Sequence, residues 1–298
     1  MRISVNGTML YVDVEGAELR VTGGALVSRP TLVALHGGPG FDSGYLRPGL
    51  GPLSSHTQVV YVDLRGQGRS LPAEPASCTL EQMADDVAAL CRTLGITHPV
   101  VFGHSAGGFV ALHLALRQPG LLRGLILCDT APTLLPIADD NPSPTLAERT
   151  RSPEAVAVAG RLFSGDFSEP TMAAFGRLVA PYYASPRHPQ VPGALLSLSH
   201  FAAEFARYFF QVLAPTYDVR PRLAEIGVPA LVLVGAYDWI CPPAGSRLMA
   251  RSVPRATLIE FADAGHFPFS EEPAAFAQAV ESFLMELEGR PIGLLEQA

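Results

Sequence analysis

The stretch Gly103-His104-Ser105-Ala106-Gly107 decides how this chain is interpreted. It follows the apolar run Pro99-Val100-Val101-Phe102 and precedes segment 108–116, which we predict to be a buried helix. A strand, a tight turn with glycines around a serine, and a helix form a nucleophile elbow. The helix N-terminus beneath such a turn favours developing negative charge. We therefore predict that Ser105 is a nucleophile, although the bare Gly-x-Ser-x-Gly pattern also occurs in ordinary small-residue turns.

Composition limits the classes of protein to consider. The 298 residues are 48% apolar and 16% charged, which is enough for one large domain or one domain with an insertion. A formal net charge of −7 without a basic run argues against nucleic acid or an anionic membrane as a partner. We find no apolar run of about eighteen residues and no signal-peptide pattern, so we expect a cytoplasmic protein without a membrane span.

Cysteine and histidine spacing points to no metal site. The sequence contains no Cys-x2-Cys or His-x3-His pair, so we expect neither a metal nor a cofactor. We interpret the cysteines as buried or incidental thiols of a reducing compartment. These are Cys78, Cys91, Cys128 and Cys241.

Several continuous apolar runs predict an α/β fold with a parallel sheet covered on both faces. The N-terminus alternates and turns at Asn6-Gly7, which predicts a β-hairpin. Helices are predicted from a capping residue at Thr79 to Leu94 and over 273–287. The predicted buried strands are 31–35, 58–62, 99–102, 125–129, 229–235 and 257–261.

A helical pattern separates the last two predicted strands from the others. We therefore divide the chain into a core domain at 1–130 and 223–298 and a helical insertion at 131–222. Residues 289–298 are predicted to be a loose tail. Within the insertion, helices are predicted over 153–164, 169–181 and 195–213.

Candidate partners for the serine follow two strands. A serine hydroxyl needs a base to take its proton and an acid to orient that base. Asp238 follows the strand at 229–235, and His266 follows the strand at 257–261. We predict Asp238 as the acid and His266 as the base, in the chain order expected of this arrangement. Asp129 is the alternative acid, although a turn or cap role suits it better.

Glycines after the first buried strand fit an oxyanion hole. The N–H groups of Gly38 and Ala106 are the predicted donors, since glycine lets the backbone approach a substrate closely. We expect His36 to tie loops together rather than to act as a second base. A structural role in holding another loop is predicted for Asp63, Arg65 and Ser70.

Five motifs, in order, resemble the α/β-hydrolase superfamily and its cap-bearing serine hydrolases. The resemblance covers 25–130 and 222–288, and it implies an eight-stranded, mostly parallel sheet with a helical cap at 131–222. The motifs are His-Gly-Gly-Pro-Gly, Asp-Leu-Arg-Gly-Gln-Gly-Arg-Ser, Gly-His-Ser-Ala-Gly-Gly, Gly-Ala-Tyr-Asp and Ala-Gly-His-Phe.

The loop His36-Gly37-Gly38-Pro39-Gly40 resembles the proline iminopeptidase branch. That resemblance implies release of N-terminal residues from peptides, with cap acids holding the substrate ammonium. Ala106 stands where that branch usually has a bulky aromatic residue. His104 before the serine is more typical of esterases, lactonases and carbon–carbon bond hydrolases.

Aromatic residues of the insertion suggest a pocket roof. At helical spacing Phe201, Phe205, Tyr208 and Phe209 share one face, which either packs on the core or roofs an apolar pocket. Glu204 at its edge either binds an ammonium group or pairs with His200 or Arg207. Predicted pocket walls, each otherwise ordinary core, are Phe41, Trp239 and Phe267.

Together these features predict a serine hydrolase that needs no cofactor. The expected partner is a small molecule or short peptide, namely an ester, lactone or amide with an apolar portion. The alternatives are an aminopeptidase of the proline iminopeptidase type and a non-catalytic ligand receptor on the same scaffold. The sequence makes no prediction of oligomeric state.

Overall fold

Ten strands form the framework of the protein. The structure, a computed structural model, describes residues 1–288, so the predicted tail at 289–298 lies outside the described residues. The strands are β1 (Arg2–Val5), β2 (Thr8–Glu15), β3 (Leu19–Thr22), β4 (Ala25–Ser28), β5 (Thr31–Leu35), β6 (Gln58–Asp63), β7 (Val100–His104), β8 (Gly124–Cys128), β9 (Ala230–Gly235) and β10 (Ala256–Phe261).

Eight of these strands form one sheet in the order β1-β2-β6-β5-β7-β8-β9-β10. The predicted hairpin forms β1 and β2, and β2 pairs antiparallel with β6. The other neighbours pair in parallel. This confirms the predicted α/β class and the eight-stranded, mostly parallel sheet.

A small second sheet was not predicted. Its two strands, β3 and β4, are four residues each and pair antiparallel with one another. Val21 and Leu26 are exposed, so these strands lack the burial that makes the main strands recognisable in the sequence.

Helices cover both faces of the main sheet. Every residue of the strands β5, β6, β7, β8 and β9 except Gln58 is buried. The α-helices are α1 (Arg47–Leu50), α2 (Leu80–Leu94), α3 (Ala106–Arg117), α4 (Leu146–Thr150), α5 (Pro153–Phe163), α6 (Glu169–Leu178), α7 (Val191–Leu196), α8 (Ala203–Tyr208), α9 (Pro243–Ser252), α10 (Pro268–Glu271) and α11 (Pro273–Glu288). Within the described residues no helix is both long and apolar enough to cross a membrane.

Helices α4 to α8 occupy the predicted insertion, between β8 and β9. Several of their apolar residues form a small core of their own. This core is built from Leu146, Ala155, Val158, Ala159, Leu162, Phe175, Val179 and Ala180. The helices predicted over 153–164 and 169–181 are present, the second ending at Leu178 before a short 3-10 turn.

The continuous helix predicted over 195–213 is wrong. Helix α7 ends at Leu196, α8 begins at Ala203, and a π-helical turn follows from Phe209 to Leu213. The break occurs because residues between them bond to the core. The backbone N–H of His200 donates to the Asp42 carboxylate at 3.0 Å, and that of Ala202 donates to the Gly40 carbonyl at 2.7 Å.

Candidate active site

The predicted nucleophile lies at a strained turn. Ser105 joins β7 directly to α3 with φ 52° and ψ −124°, a conformation that residues with a side chain rarely adopt. A Cβ at Gly107 would lie 2.3 Å from the Leu35 carbonyl oxygen, so only glycine fits there. The Ser105 N–H donates to the Cys128 carbonyl at 3.0 Å, which fixes the turn to β8. These features match the predicted nucleophile elbow.

The predicted acid and base are in contact. The Nδ1 atom of His266 lies 2.8 Å from Oδ2 of Asp238, and both side chains are buried. The other oxygen, Oδ1 of Asp238, accepts N–H groups from Ile240 at 2.8 Å and Cys241 at 3.1 Å. These donors orient the carboxylate so that its Oδ2 faces Nδ1 of His266, and a hydrogen bond between the two requires a proton on Nδ1.

Ser105 and His266 line the same cavity. A second observation also places them close together. The buried thiol of Cys241 lies within 4.8 Å of a nitrogen of His266 and an oxygen of Asp238, and the Ser105 side chain is among the groups that act on its pKa. Sequence reasoning assigned Cys241 no role beyond burial, whereas its thiol lies next to His266 and Asp238.

Asp129, the alternative acid, is engaged elsewhere. Its Oδ1 accepts the Gly235 N–H at 2.9 Å, and its Oδ2 accepts the Cys128 thiol at 3.2 Å. Burial and the nearby charge of Asp238 raise the pKa of Asp129 well above its ordinary value. Asp129 therefore bonds to structural partners at the end of β8, and Asp238 is the carboxyl group paired with His266.

The two predicted oxyanion donors have free N–H groups. Ala106 is the first residue of α3, where a backbone N–H has no partner within the helix. Among the described residues, none accepts a hydrogen bond from the N–H of Gly38, which lines the same cavity as Ser105. Both groups remain available to a substrate oxygen.

A buried bridge joins the loop after β5 to the loop that carries His266. The Tyr45 hydroxyl accepts the Gly37 N–H at 2.6 Å and therefore donates to Nδ1 of His104, at 2.7 Å. The Nε2–H of His104 then donates to the His266 carbonyl at 2.8 Å. Burial lowers the pKa of His104 well below its ordinary value, so the ring stays neutral, as this bonding requires. Sequence reasoning missed Tyr45, because only the folded chain brings it to the site.

The residues predicted to hold loops do so. His36 accepts the Leu64 N–H on Nε2 at 3.0 Å and donates from Nδ1 to the Gly37 carbonyl at 2.8 Å. It thereby ties the loops after β5 and β6 together.

The Asp63 carboxylate accepts hydrogen bonds from Ser43 and Arg69. Burial opposes ionisation, but these bonds prevail and lower the pKa of Asp63 to about 2. Ser70 donates to the Asp63 carbonyl at 2.5 Å, and Arg65 makes a two-pronged ion pair with Asp86 at 2.7 and 2.9 Å.

The cavity has a volume of about 310 Å³ and aromatic walls. Phe41 and Phe267 line it, as predicted. Trp239 does not line it but packs against a residue that does, Tyr183, with ring centroids 5.4 Å apart. The insertion contributes a roof consisting of Leu162, Phe163, Phe167, Met172, Phe175, Gly176, Ala180, Tyr183, Leu196, Ser199, Phe201 and Phe210.

The predicted aromatic stripe is only partly present. Phe201 lies before α8 and lines the cavity, whereas Phe205 and Phe209 are buried in the main core. Glu204 is exposed and does not line the cavity. It pairs with neither predicted partner, since His200 bonds to Asp42 and Arg207 donates to the Gly165 carbonyl.

Among the described residues, one group of side chains has the composition of a metal site. It is Asp238, Cys241 and His266. The carboxylate and the imidazole already bond to each other, and burial raises the pKa of the Cys241 thiol well above its ordinary value. A thiolate ligand is therefore costly here, and the arrangement suits proton transfer better than metal binding.

Residues 30–273 match the α/β hydrolase fold family, and the chain belongs to that family. The sequence is 30% identical over 265 residues to a putative carbamate hydrolase RutD of Pseudomonas syringae pv. syringae, covering 86% of this chain and 93% of that protein. It is 25% identical over 280 residues to the proline iminopeptidase PfmaB of Pestalotiopsis fici, covering 92% of this chain and 98% of that protein.

A solved structure resembles most of the chain. The enol-lactonase of Burkholderia xenovorans LB400 is 28% identical and superposes with a TM-score of 0.72, covering 96% of this chain and 100% of the lactonase. These similarities show that the chain belongs among hydrolases.

Proposed function

We propose that this protein is a serine hydrolase that cleaves a carbonyl compound through an acyl-enzyme. The observation that carries the proposal is the buried contact of His266 with Asp238 beside a strained serine that lines the same cavity. Retention of all three groups in this arrangement also argues against a non-catalytic ligand receptor.

In the first step the Ser105 hydroxyl attacks the substrate carbonyl carbon. Its proton passes to Nε2 of His266 as the new carbon–oxygen bond forms. The carbonyl electrons move to the oxygen, which the N–H groups of Gly38 and Ala106 stabilise. Asp238 stabilises the resulting imidazolium without taking its proton.

In the second step the tetrahedral intermediate collapses. The carbon–leaving group bond breaks, and His266 returns its proton to the leaving oxygen or nitrogen. Water then attacks the acyl-enzyme by the same route, which releases the acid and restores Ser105. No metal or organic cofactor takes part.

We also propose that residues 131–222 act as a cap over this site. Aromatic residues of that segment and Phe41 and Phe267 of the core enclose one cavity. Its volume lies at the small end of the range for ligand pockets, and its walls are mostly apolar. The substrate we infer is a small ester, lactone or amide with an aromatic or branched apolar acyl part. The name of the carbamate hydrolase relative adds carbamates to this class.

An aminopeptidase is the second candidate. The loop at 36–40 and the similarity to a proline iminopeptidase favour it. Such an enzyme needs an anion near the substrate ammonium, because a buried charge requires a partner. No Asp or Glu among the described residues lines the cavity, and Glu204 lies outside it. The cavity therefore suits a neutral substrate better.

Parallel assays with p-nitrophenyl acetate, a p-nitrophenyl carbamate and proline β-naphthylamide test this choice. We expect turnover of the acetate, or of the carbamate, and none of the proline amide. Efficient release of β-naphthylamine would instead support the aminopeptidase. Failure of a fluorophosphonate to label Ser105, together with no turnover of any substrate, would support the receptor.

A further inference from the structure

Arg149 of α4 donates hydrogen bonds to three backbone carbonyls. It is about half-buried, and its guanidinium donates to the carbonyl oxygens of Tyr182, Tyr237 at 2.8 Å and Ala184 at 2.6 Å. The same group lies over the rings of Tyr182 and Tyr237, at 5.8 and 5.5 Å. Within residues 1–288 no carboxylate lies at ion-pair distance from it. An arginine held in this way fixes backbone, and the charges of Asp238 and Glu271 favour its charged form from a greater distance.

Each of these carbonyls belongs to a residue next to Asp238 or next to a residue that bonds to the backbone of His266. Tyr237 directly precedes Asp238. Tyr182 and Ala184 flank Tyr183, whose carbonyl accepts the backbone N–H of His266 at 2.6 Å. One guanidinium therefore links the loop of the acid to the segment that holds the loop of the base. We call residues 182–185 the connector.

Glu271 also binds the connector. Its buried carboxylate accepts N–H groups from Ser185 at 2.7 Å, Gly265 at 2.9 Å and Phe267 at 3.1 Å. The last two residues flank His266. The backbones are in direct contact as well, since a Cβ at Gly265 would lie 2.3 Å from the Tyr183 carbonyl oxygen.

The connector thus reaches both catalytic loops from within the helical insertion. Proton transfer depends on placing His266 against Asp238 and Ser105 to within a fraction of an ångström. We propose that Arg149 is a positioning residue that holds the Asp238 and His266 loops in register through the connector. The proposal rests on the proposed hydrolase function where it is tested by kcat. Its test by NMR of His266 does not depend on that function.

Arg149→Ala removes the three hydrogen bonds and leaves a guanidinium-shaped gap. Arg247→Ala is the matched control, because Arg247 also ties the start of the insertion to the core. It donates to Glu260 at 2.7 Å, to Asp139 at 2.8 Å and to the Asn141 carbonyl at 3.0 Å, and it contacts neither catalytic loop. If Arg149 only attached the insertion to the core, as Arg247 does, the two variants would show similar losses of kcat.

For Arg149→Ala we expect kcat to fall about 10- to 100-fold, the effect of a displacement of roughly 1 Å, with KM unchanged. Free guanidinium should restore much of the loss in this variant. Arg247→Ala should keep its kcat and should not respond to guanidinium. Arg149→Lys keeps the positive charge but lacks the planar guanidinium, so we expect a similar loss of kcat. This variant replaces Arg149→Ala in the test if the alanine variant does not fold. An unchanged kcat in both Arg149 variants would overturn the proposal.

Proton NMR of the His266 Nδ1–H that faces Asp238 tests the positioning independently of turnover. We expect its downfield resonance in the wild type and in Arg247→Ala, broadening in Arg149→Ala, and recovery with guanidinium. The same resonance in Arg149→Ala as in the wild type would overturn the positioning role. A wild type that hydrolyses nothing but shows the expected spectra would refute the hydrolase and leave the positioning intact.

Discussion

Replacing Tyr45 by phenylalanine tests the bridge between the oxyanion loop and the base loop. The substitution removes one oxygen that accepts the Gly37 N–H at 2.6 Å and lies 2.7 Å from Nδ1 of His104. The aromatic ring, which is 2% exposed, keeps its apolar contacts. The change therefore isolates the two hydrogen bonds.

Both partners are left buried without a bond. Each such group costs about 1–3 kcal/mol, so the expected loss of unfolding free energy is about 2–6 kcal/mol if the two costs add. We also expect kcat to fall, because Gly37 precedes the proposed oxyanion donor and His104 bonds to the His266 carbonyl. Urea unfolding and steady-state hydrolysis of p-nitrophenyl acetate measure the two effects.

Tyr61→Phe is the control. Tyr61 is also buried, but its hydroxyl donates to Glu15 at 3.1 Å, far from the catalytic loops. Its loss should cost about 1.5–3 kcal/mol, as for one hydrogen bond to a charged group, and should leave kcat unchanged. If Tyr45→Phe is no less stable and no less active than this control, the bridge does not have the role inferred here.

Substitutions at four other residues test separate features of the protein. Ser105→Gly should be inactive yet more stable than Ser105→Ala by about 1 kcal/mol in urea unfolding, because glycine tolerates φ 52°; equal stabilities would contradict a strained elbow. Asp238→Asn should lower kcat by about three to four orders of magnitude through the wrong histidine tautomer. Asp129→Asn should leave kcat unchanged, since the Asp129 carboxyl bonds to Gly235 and Cys128 rather than to His266; a larger loss of kcat for Asp129→Asn than for Asp238→Asn would exchange their roles. Asp63, with its pKa lowered to about 2 from 3.8, contributes about 2 kcal/mol of stability above its unfolded pKa. The difference in unfolding free energy between the wild type and Asp63→Asn should therefore decrease as the pH falls from about 4 to about 2. A difference that does not change with pH would contradict this.

The features predictable from the sequence are those encoded locally. The run before Ser105 and the glycines around it specify a strand, a turn and a helix within about fifteen residues. The proximity of Asp238 and His266 could be predicted because each lies in the loop after a strand, β9 or β10, and parallel strands bring their carboxyl ends to one edge of the sheet. The predicted burial of the strand at 257–261 is wrong, since β10 is the last strand of the sheet and only its Phe261 is buried.

The features that could not be predicted depend on contacts between distant segments. The break before α8 depends on bonds from His200 and Ala202 to the loop at 40–42, which helical spacing does not report. Arg149 and Glu271 look like ordinary helix residues, and only the folded chain brings their side chains to the backbone of the catalytic loops.

Intact-mass analysis after treatment with a fluorophosphonate tests the central claim most directly, since only an activated serine reacts rapidly. We predict one adduct, located at Ser105 by peptide mapping, formed quickly in the wild type, much more slowly in His266→Gln, and not in Ser105→Ala. An adduct on another residue, or equal labelling rates in the wild type and His266→Gln, would contradict the account.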